Sequence, residues 1–298
     1  MKIGYPCVNN SIDCTPNRTF RLRSYSPERL IETVEENLAC LRKTLAFNLE
    51  RGFLFFRIGS QLVPFASHPV CTFDWQNYFA DQFCQLGEWI KAHNMRISMH
   101  PDQFVLLNAL DKNIVKNSVA ELAYHCQVLD LLGLDCTAKV QIHLGGVYGD
   151  RGAAKERFVA VYRQLPDFVR ARLAIENDDH RFDLVDCFEV HEKTGIPVIF
   201  DSFHHECMSR GEAVQDALAL ATKTWADEDG VPITDYSSQK EDGRKGSHTH
   251  SIDLMHFRAY LRATQGIDFD IMLEIKDKEI SAMQALMVAQ QERADLVS

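Results

Sequence analysis

Short apolar segments alternate with longer amphipathic ones along the whole chain, and this alternation restricts the fold more than any other feature. The short segments are "KIGYPCV" (2–8), "FLFFRI" (53–58), "RISMH" (96–100), "KVQIHL" (139–144), "RLAIEN" (172–177), "PVIFDSF" (197–203), "PITDYSS" (232–238) and "FDIMLEI" (269–275). Nearly continuous apolar runs of this length are typical of strands that are covered on both faces, as in a parallel sheet.

The segments between these strands carry the signals of helices. The predicted helices are 27–50, 74–93, 111–132, 151–170, 183–194, 210–224, 253–264 and 277–294. Ser26 and Pro27 are typical of a helix start, and Gly133 and Gly195 are typical of helix ends. Strict alternation of eight strands with eight helices predicts an α/β protein with the (β/α)8 TIM barrel fold. We find no linker, so residues 1–298 are expected to form a single domain.

Composition sets limits on where the protein acts and how its cysteines are used. The chain is 46% apolar and 25% charged, which is typical of a globular protein. No apolar run is long enough for a membrane span and "MKIGYPCVNN" does not resemble a signal peptide, so we expect a cytoplasmic protein with no membrane partner. The nine cysteines show no CxxC spacing and are expected to be single thiols rather than disulfides or zinc ligands.

Residues that can bind metal ions occur at the ends of the predicted strands. The active sites of TIM barrels lie at this carboxyl end of the strands. The candidates are His100, His143, Glu176, Asp201, His204, Asp235, His248 and Glu274, with His250 as a further possibility. Carboxylates buried together at one mouth would destabilise the fold by several kcal/mol each unless cations compensated them.

This candidate set exceeds what one ion needs, so we expect two or three divalent ions with bridging carboxylates. Mixed nitrogen and oxygen ligands without thiolates favour Mn²⁺, Zn²⁺ or Mg²⁺. Such clusters catalyse displacement at phosphorus by activating water and stabilising the attacking and leaving oxygens. Metal-assisted isomerisation of a sugar is an alternative function. A binding protein with a decayed site is disfavoured, because it would have lost several ligands.

Charge gives two opposing indications about a nucleic-acid partner. The net charge of −10 argues against one, because Lys and Arg drive phosphate binding. Carboxylates that bind metal ions would weaken this argument. Two basic clusters could follow a phosphate backbone: Arg18, Arg21 and Arg23, and Lys240, Arg244 and Lys245.

Seven ordered motifs resemble the UV damage endonuclease family, which is related in fold to endonuclease IV. The motifs are "IGYPCVNN", "RIGSQLVPFASHP", "SMHPDQF", "IHLGG", "LAIEND", "IFDSFHH" and "DIMLEIKDKE". The resemblance runs from residue 3 to about residue 280. It implies a metal-dependent (β/α)8 enzyme that repairs damaged double-stranded DNA without an obligate protein partner. Such enzymes nick immediately 5′ of cyclobutane dimers, 6-4 products and abasic sites, leaving a 3′-hydroxyl and a 5′-phosphate.

The resemblance also implies roles for individual residues. It assigns metal binding to His100, His143, Glu176, Asp201, His204, His248 and Glu274, with Mn²⁺ as the expected metal. Glu176 and Glu274 would bridge ions, and Glu176 would be essential for catalysis. Tyr5, Asn9 or Asn10, and His68 would lie near the scissile phosphate or the lesion.

Gln103 and Phe104 match the pair that family members insert into the duplex where damaged bases are flipped out. An aromatic ring can fill the gap in the base stack, and an amide can bond to the orphaned bases. Some members have a tyrosine where this chain has Phe104.

Strand seven departs from the family pattern. Some members carry a lysine, which can be carboxylated, two residues before a histidine ligand. Alignment on "YSS" places Ile233 and Asp235 at these positions. A carboxylate at position 235 would favour Mn²⁺ or Mg²⁺ over Zn²⁺, and the missing lysine leaves a third ion open.

Overall fold

A computed structural model describes residues 1–294 of the chain, and these residues form a closed barrel of parallel strands in chain order. The strands are β1 (Ile3–Pro6), β2 (Phe55–Ile58), β3 (Arg96–Met99), β4 (Lys139–His143), β5 (Leu173–Glu176), β6 (Val198–Asp201), β7 (Ile233–Tyr236) and β8 (Asp270–Leu273). Each strand lies within a predicted segment, and the pairing of Gly4 with Met272 closes the barrel. The predicted TIM barrel is therefore confirmed.

Helices surround this barrel and follow the strands in the predicted order. They are α1 (Pro27–Arg51), α2 (Trp75–Tyr78), α3 (Ala80–Ala92), α4 (Lys112–Leu131), α5 (Arg151–Tyr162), α6 (Asp167–Arg170), α7 (Leu184–Thr194), α8 (Ser202–Cys207), α9 (Val214–Thr222), α10 (Leu254–Ala263) and α11 (Glu279–Ala294). Short 3₁₀ turns occupy Leu22–Ser24 and Asp227–Asp229. None of the helices within residues 1–294 is long and apolar enough to cross a membrane.

Three predicted elements differ from the observed ones, for local reasons. The segment 151–170 divides into α5 and α6, because Pro166 cannot continue a helix interior and instead precedes α6. The segment 74–93 divides at Phe79. The predicted strand 197–203 ends at Asp201, whose side chain accepts a hydrogen bond from the His204 amide at 2.8 Å and caps α8.

The interior of the barrel has an apolar middle layer between two polar ends. Phe55, Ala174, Ile199, Ile233 and Met272 form this layer and are fully buried. Below it, at the amino ends of the strands, Nη1 of Arg96 donates to Oδ2 of Asp270 at 2.8 Å. The layer supports the polar groups above it, which face the mouth at the carboxyl ends.

The expectation of single thiols is wrong for two of the nine cysteines. Cys14 and Cys40 form a disulfide, with Cα atoms 5.9 Å apart. Cys14 lies in the loop after β1 and Cys40 lies in α1, so the bond attaches this long loop to its helix. The spacing of the cysteines along the sequence gives no sign of this pairing.

Candidate metal centre at the barrel mouth

A cavity of about 770 Å³ opens at the carboxyl end of the barrel, where the predicted ligands lie. His143, Glu176 and Asp201 are the last residues of β4, β5 and β6. The other candidates follow strands: His100 after β3, His204 in α8, His248 in the loop between β7 and α10, and Glu274 after β8. The barrel geometry therefore gathers side chains that are far apart in the sequence.

Glu176 lies between two imidazoles at the floor of the mouth. Its Oε1 atom is 2.7 Å from Nε2 of His143 and 3.3 Å from Nε2 of His100. Burial raises the pKa of Glu176, but the two imidazoles outweigh this effect and hold the pKa well below its ordinary value. Oε2 of Glu176 is buried and has no hydrogen-bond partner within the described part of the chain. This atom is a free acceptor that faces a polar cavity.

Asp201 and His204 form a second group beside the first. The Nδ1 atom of His204 donates to the carbonyl oxygen of Asn177 at 2.9 Å, which leaves Nε2 directed away from the backbone. Burial lowers the pKa of His204, but the charges of Asp201, Glu176 and Glu274 raise it to about 10. Burial also raises the pKa of Asp201 to about 6, with Glu274 and Glu176 contributing. Each group is thus held in a charged environment that has no counter-ion in the chain alone.

His248 completes a ring of imidazoles around the cavity. Its Nδ1 atom is 2.8 Å from the carbonyl oxygen of Glu274, and the ring packs edge-on against Phe203 at 5.1 Å between centroids. Centroid distances are 5.4 Å from His100 to His143, 5.9 Å from His143 to His204 and 6.1 Å from His204 to His248. Four imidazoles therefore surround one small volume.

These residues fit divalent metal ions. Nδ1 of His204 and of His248 is oriented by a backbone carbonyl, which is the usual arrangement when Nε2 binds a metal. Among residues 1–294, Oε2 of Glu176 and Oδ2 of Asp201 are buried without hydrogen-bond partners, which is costly unless a cation is bound. His100, His143 and Glu176 offer ligand atoms within 4.8 Å of one another, as do Glu176, Asp201 and Asp235.

Asp235 lies in this group but already has a cationic partner. Nη2 of Arg57 is 2.8 and 2.9 Å from the two oxygens of Asp235, and Gln141 also donates to this carboxylate. Nη1 of Arg57 donates to Glu274. Burial raises the pKa of Asp235 well above its ordinary value, although Arg57 opposes the shift.

The sequence analysis missed Arg57 and Gln141, although the strand pattern contains a signal for both. In "FLFFRI", Arg57 is two residues from the inward-facing Phe55, and in "KVQIHL", Gln141 is two residues from His143. Side chains two apart in a strand share a face, so both residues are directed into the barrel.

Gln103 and Phe104 lie on the loop after β3 and are exposed. The Phe104 side chain is 76% exposed, which is unusual for a large apolar residue. Phe104 also separates the mouth from a second cavity of about 460 Å³, since it lines both. His68 lines this second cavity; its Nδ1 accepts from the Val70 amide at 3.0 Å.

The structure does not bring Tyr5 to the wall of the mouth. Tyr5 is fully buried, its ring packs edge-on against Phe53 and Phe56, and its hydroxyl donates to Asn48 of α1. The ring faces outward because it fills the space between the barrel and α1. Asn9 is also buried and donates to the Tyr5 hydroxyl at 2.7 Å. By contrast, Asn10 is exposed.

Basic side chains lie on the rim of the mouth. Lys240, Arg244 and Lys245 are exposed on the loop between β7 and α10, which an antiparallel bridge from Gln239 to His248 closes. Lys276 and Lys278, which follow Glu274, line the main cavity itself. Positive charge therefore surrounds a floor that is rich in carboxylates.

The family model described as UV-endonuclease UvdE matches residues 1–297. The chain belongs to the UvdE family. A protein named UV DNA damage endonuclease from Clostridium perfringens is 37% identical over 96% of this chain and 70% of its own length. The protein of the same name from Bacillus cereus is 31% identical over 95% of this chain and 93% of its own. Both likenesses cover nearly all of this UvdE chain.

Solved structures give the same assignment and show how widely the fold is shared. The crystal structure of SacUVDE matches with a TM-score of 0.94 and 40% identity, over 98% of this chain and 99% of that one. Endonuclease IV from Thermus thermophilus matches with a TM-score of 0.57 and 19% identity, over 84 to 99% of the chains in this group of neighbours, its own shares being 86% and 94%. D-Psicose 3-epimerase from Clostridium cellulolyticum H10 also has a TM-score of 0.57, with 14% identity over 84% and 93%. These two likenesses concern the fold alone.

Proposed function

We propose that this UvdE family member is a metal-dependent DNA repair endonuclease that acts in the cytoplasm on damaged duplex DNA. It nicks the phosphodiester immediately 5′ of cyclobutane dimers and 6-4 products, and also at abasic sites, leaving a 3′-hydroxyl and a 5′-phosphate. The observation that carries the proposal is the placement of Glu176 between His100 and His143, at the floor of an open mouth.

The chain's own residues have distinct tasks in this reaction. His100, His143 and Glu176 would hold one ion, and Asp201, His204, His248 and Glu274 would complete the centre, with Glu176 and Glu274 placed to bridge. Bound divalent ions, most suitably Mn²⁺, supply the positive charge that activates water and stabilises the leaving oxygen. The carbonyls of Asn177 and Glu274 hold His204 and His248 in the orientation that presents Nε2.

Gln103 and Phe104 recognise the distortion in the duplex. The exposed ring of Phe104 stands beside the mouth, where it can occupy the gap that flipped bases leave in the stack. Base stacking on an aromatic ring is worth about 1–3 kcal/mol, so the missing hydroxyl relative to tyrosine leaves most of this contribution intact. His68 lies on the other side of Phe104 and would contact the same region of DNA.

The basic rim directs the DNA backbone over the mouth. Lys240, Arg244 and Lys245 are exposed, and Lys276 and Lys278 line the cavity beside the candidate ligands. Lysine and arginine neutralise phosphates in a manner that does not depend on base sequence. This rim therefore accounts for DNA binding by a chain whose net charge is −10.

A sugar epimerase is the second candidate, because D-psicose 3-epimerase shares the fold. A small sugar needs an enclosed pocket, whereas this cavity of about 770 Å³ is bordered by an exposed aromatic ring and lysines. These features favour a large anionic substrate over a sugar.

The test uses an end-labelled duplex that contains one thymine dimer, with Mn²⁺ in one reaction and EDTA in the other. We expect one cut immediately 5′ of the dimer with Mn²⁺ and no cut with EDTA. A matched duplex with an abasic site distinguishes an enzyme of the endonuclease IV type, which would cut only that duplex. Folded protein that cuts neither duplex, or that converts ketoses instead, would refute the proposal.

A further inference from the structure

Arg57 is a buried cation within the floor of the mouth. Its side chain is 3% exposed, yet Phe55, two residues earlier on the same face of β2, belongs to the apolar layer. Nη2 contacts both oxygens of Asp235 and lies 2.8 Å from Oε1 of Gln141, while Nη1 donates to Glu274. One guanidinium thus joins two carboxylates that the sequence alone assigns to metal ions.

The oxygens of Asp235 are already engaged by donors. Oδ1 accepts from Nη2 of Arg57, and Oδ2 accepts from Nη2 and from the Gln141 amide. A divalent ion bonded to Asp235 would also stand close to a permanent positive charge inside the protein, where repulsion is screened poorly. By contrast, Oε2 of Glu176 and Oδ2 of Asp201 are the acceptors that the described residues leave without partners.

The charge of the floor leads to a definite number of ions. Carboxylates of Glu176, Asp201, Asp235 and Glu274 together with the guanidinium of Arg57 carry a net charge of three negative units. Two divalent ions would leave one positive unit, which the single negative charge of a phosphodiester neutralises. A third ion would leave three positive units beside a buried guanidinium, which is unfavourable.

We propose that Arg57 is a fixed internal cation that takes Asp235 as its counter-ion, positions Glu274 and limits the centre to two divalent ions. Asp235 is then a partner of Arg57 and not a metal ligand. Arg57 is a positioning residue, since it acts through Glu274 and contacts neither DNA nor the reacting atoms. The inference rests on the proposed function for the presence of metal ions, but it does not depend on the DNA substrate.

The first test counts and locates ions in the full-length protein. The chain is stripped with EDTA, dialysed to equilibrium against Mn²⁺ and analysed by mass spectrometry for metal content, and a crystal of the same sample gives an anomalous map. We expect two manganese ions per chain and no ion bonded to Asp235. Any other count, or an ion bonded to Asp235, overturns the proposal.

Variants separate a charge effect from a structural one. Asp235→Asn should retain two ions, because the amide oxygen still accepts from Arg57. Arg57→Gln should raise the count to three by freeing Asp235, and Arg57→Lys should restore two by retaining the charge. If Arg57→Gln does not fold, the counts for the parent and Asp235→Asn decide. Loss of an ion in Asp235→Asn, or two ions in a folded Arg57→Gln, refutes the proposal.

Arg96 and Asp270 supply a matched control at the opposite end of the barrel. They form a buried ion pair of the same chemistry, with Nη1 and Oδ2 2.8 Å apart, but below the apolar layer. Arg96→Gln should leave two ions per chain, and a changed count there would mean that any buried barrel arginine alters the centre, which overturns a specific role for Arg57. Cutting of dimer-containing DNA is assayed separately, so absence of cutting with two ions bound would refute the proposed function alone.

Discussion

Nε2 of His143 lies 2.7 Å from Oε1 of Glu176, while the second oxygen of this carboxylate has no hydrogen-bond partner among residues 1–294. One oxygen is thus stabilised by imidazoles and the other is directed at the cavity without compensation. This asymmetry is what a bound cation would relieve, and it makes Glu176 the residue on which the centre most depends.

Glu176→Gln should therefore abolish metal-dependent nicking while the barrel remains folded. An amide binds divalent ions far more weakly than a carboxylate, so we expect activity to fall by more than about 100-fold, above the usual effect of losing an outer partner. Cutting of the dimer duplex, metal content and thermal unfolding are measured together. Glu88→Gln, an exposed position on α3, is the matched control. Retained activity in Glu176→Gln would show that the metal assignment is wrong.

Phe104→Ala should reduce discrimination between damaged and undamaged DNA more than it reduces metal binding. The ring is mostly exposed, so its removal costs little stability, but it loses about 1–3 kcal/mol of stacking. Competition binding with dimer-containing and intact duplexes should show a loss of about fivefold to about a hundredfold in preference. Phe104→Tyr should retain the preference, and Met255→Ala removes another exposed apolar side chain as a control. Equal discrimination by Phe104→Ala and the parent would remove the wedge role.

Metal affinity should rise with pH because His204 must lose a proton. Burial lowers the pKa of His204, but Asp201, Glu176 and Glu274 raise it to about 10, so the metal-free imidazole is protonated at neutral pH. An ion displaces that proton from Nε2, and affinity for Mn²⁺ should increase by about tenfold per pH unit between about pH 7 and 9. Calorimetry in two buffers of different ionisation enthalpy counts the released protons.

The same calorimetry on His204→Gln should give a shallower dependence on pH. His191→Gln changes a histidine of α7 whose Nδ1 contacts the Ile196 carbonyl, so it should behave like the parent. An unchanged slope in His204→Gln would assign the released proton to another group.

Reduction of the bond between Cys14 and Cys40 should destabilise the chain. The bond closes a loop with a sequence separation of 26 residues, and loss of such a cross-link typically costs about 2–4 kcal/mol by enlarging the unfolded ensemble. Urea unfolding of Cys14→Ser, with and without reductant, measures the effect. Cys84→Ser, an exposed free cysteine, should unfold like the parent. A parent that unfolds at the same urea concentration with and without reductant would contradict the prediction.

The sequence predicts the barrel and the position of the ligands because both depend on local period and order. Strands covered on both faces appear as apolar runs, and the last residue of each run must lie at one end of the barrel. His143, Glu176 and Asp201 follow directly from this rule. Their partners in the mouth then follow from closure of the barrel, without knowledge of any distance.

The remaining features depend on contacts between distant residues, which no local pattern encodes. Arg57 and Asp235 are separated by 178 positions, and only the register of the closed barrel brings them together. The bond between Cys14 and Cys40 requires the path of a long loop. Tyr5 was misplaced because a motif carries no information about which face of a strand packs against α1.

Closure of the barrel by β1 and β8 has a consequence for the timing of activity during synthesis. The candidate ligands extend from His100 to Glu274, and the last strand follows almost all of them along the chain. A ribosome-bound chain, or a fragment cut before β8, lacks Glu274 and an intact barrel. Nicking therefore becomes possible only when synthesis is nearly complete, and incomplete chains pose no threat to undamaged chromosomes.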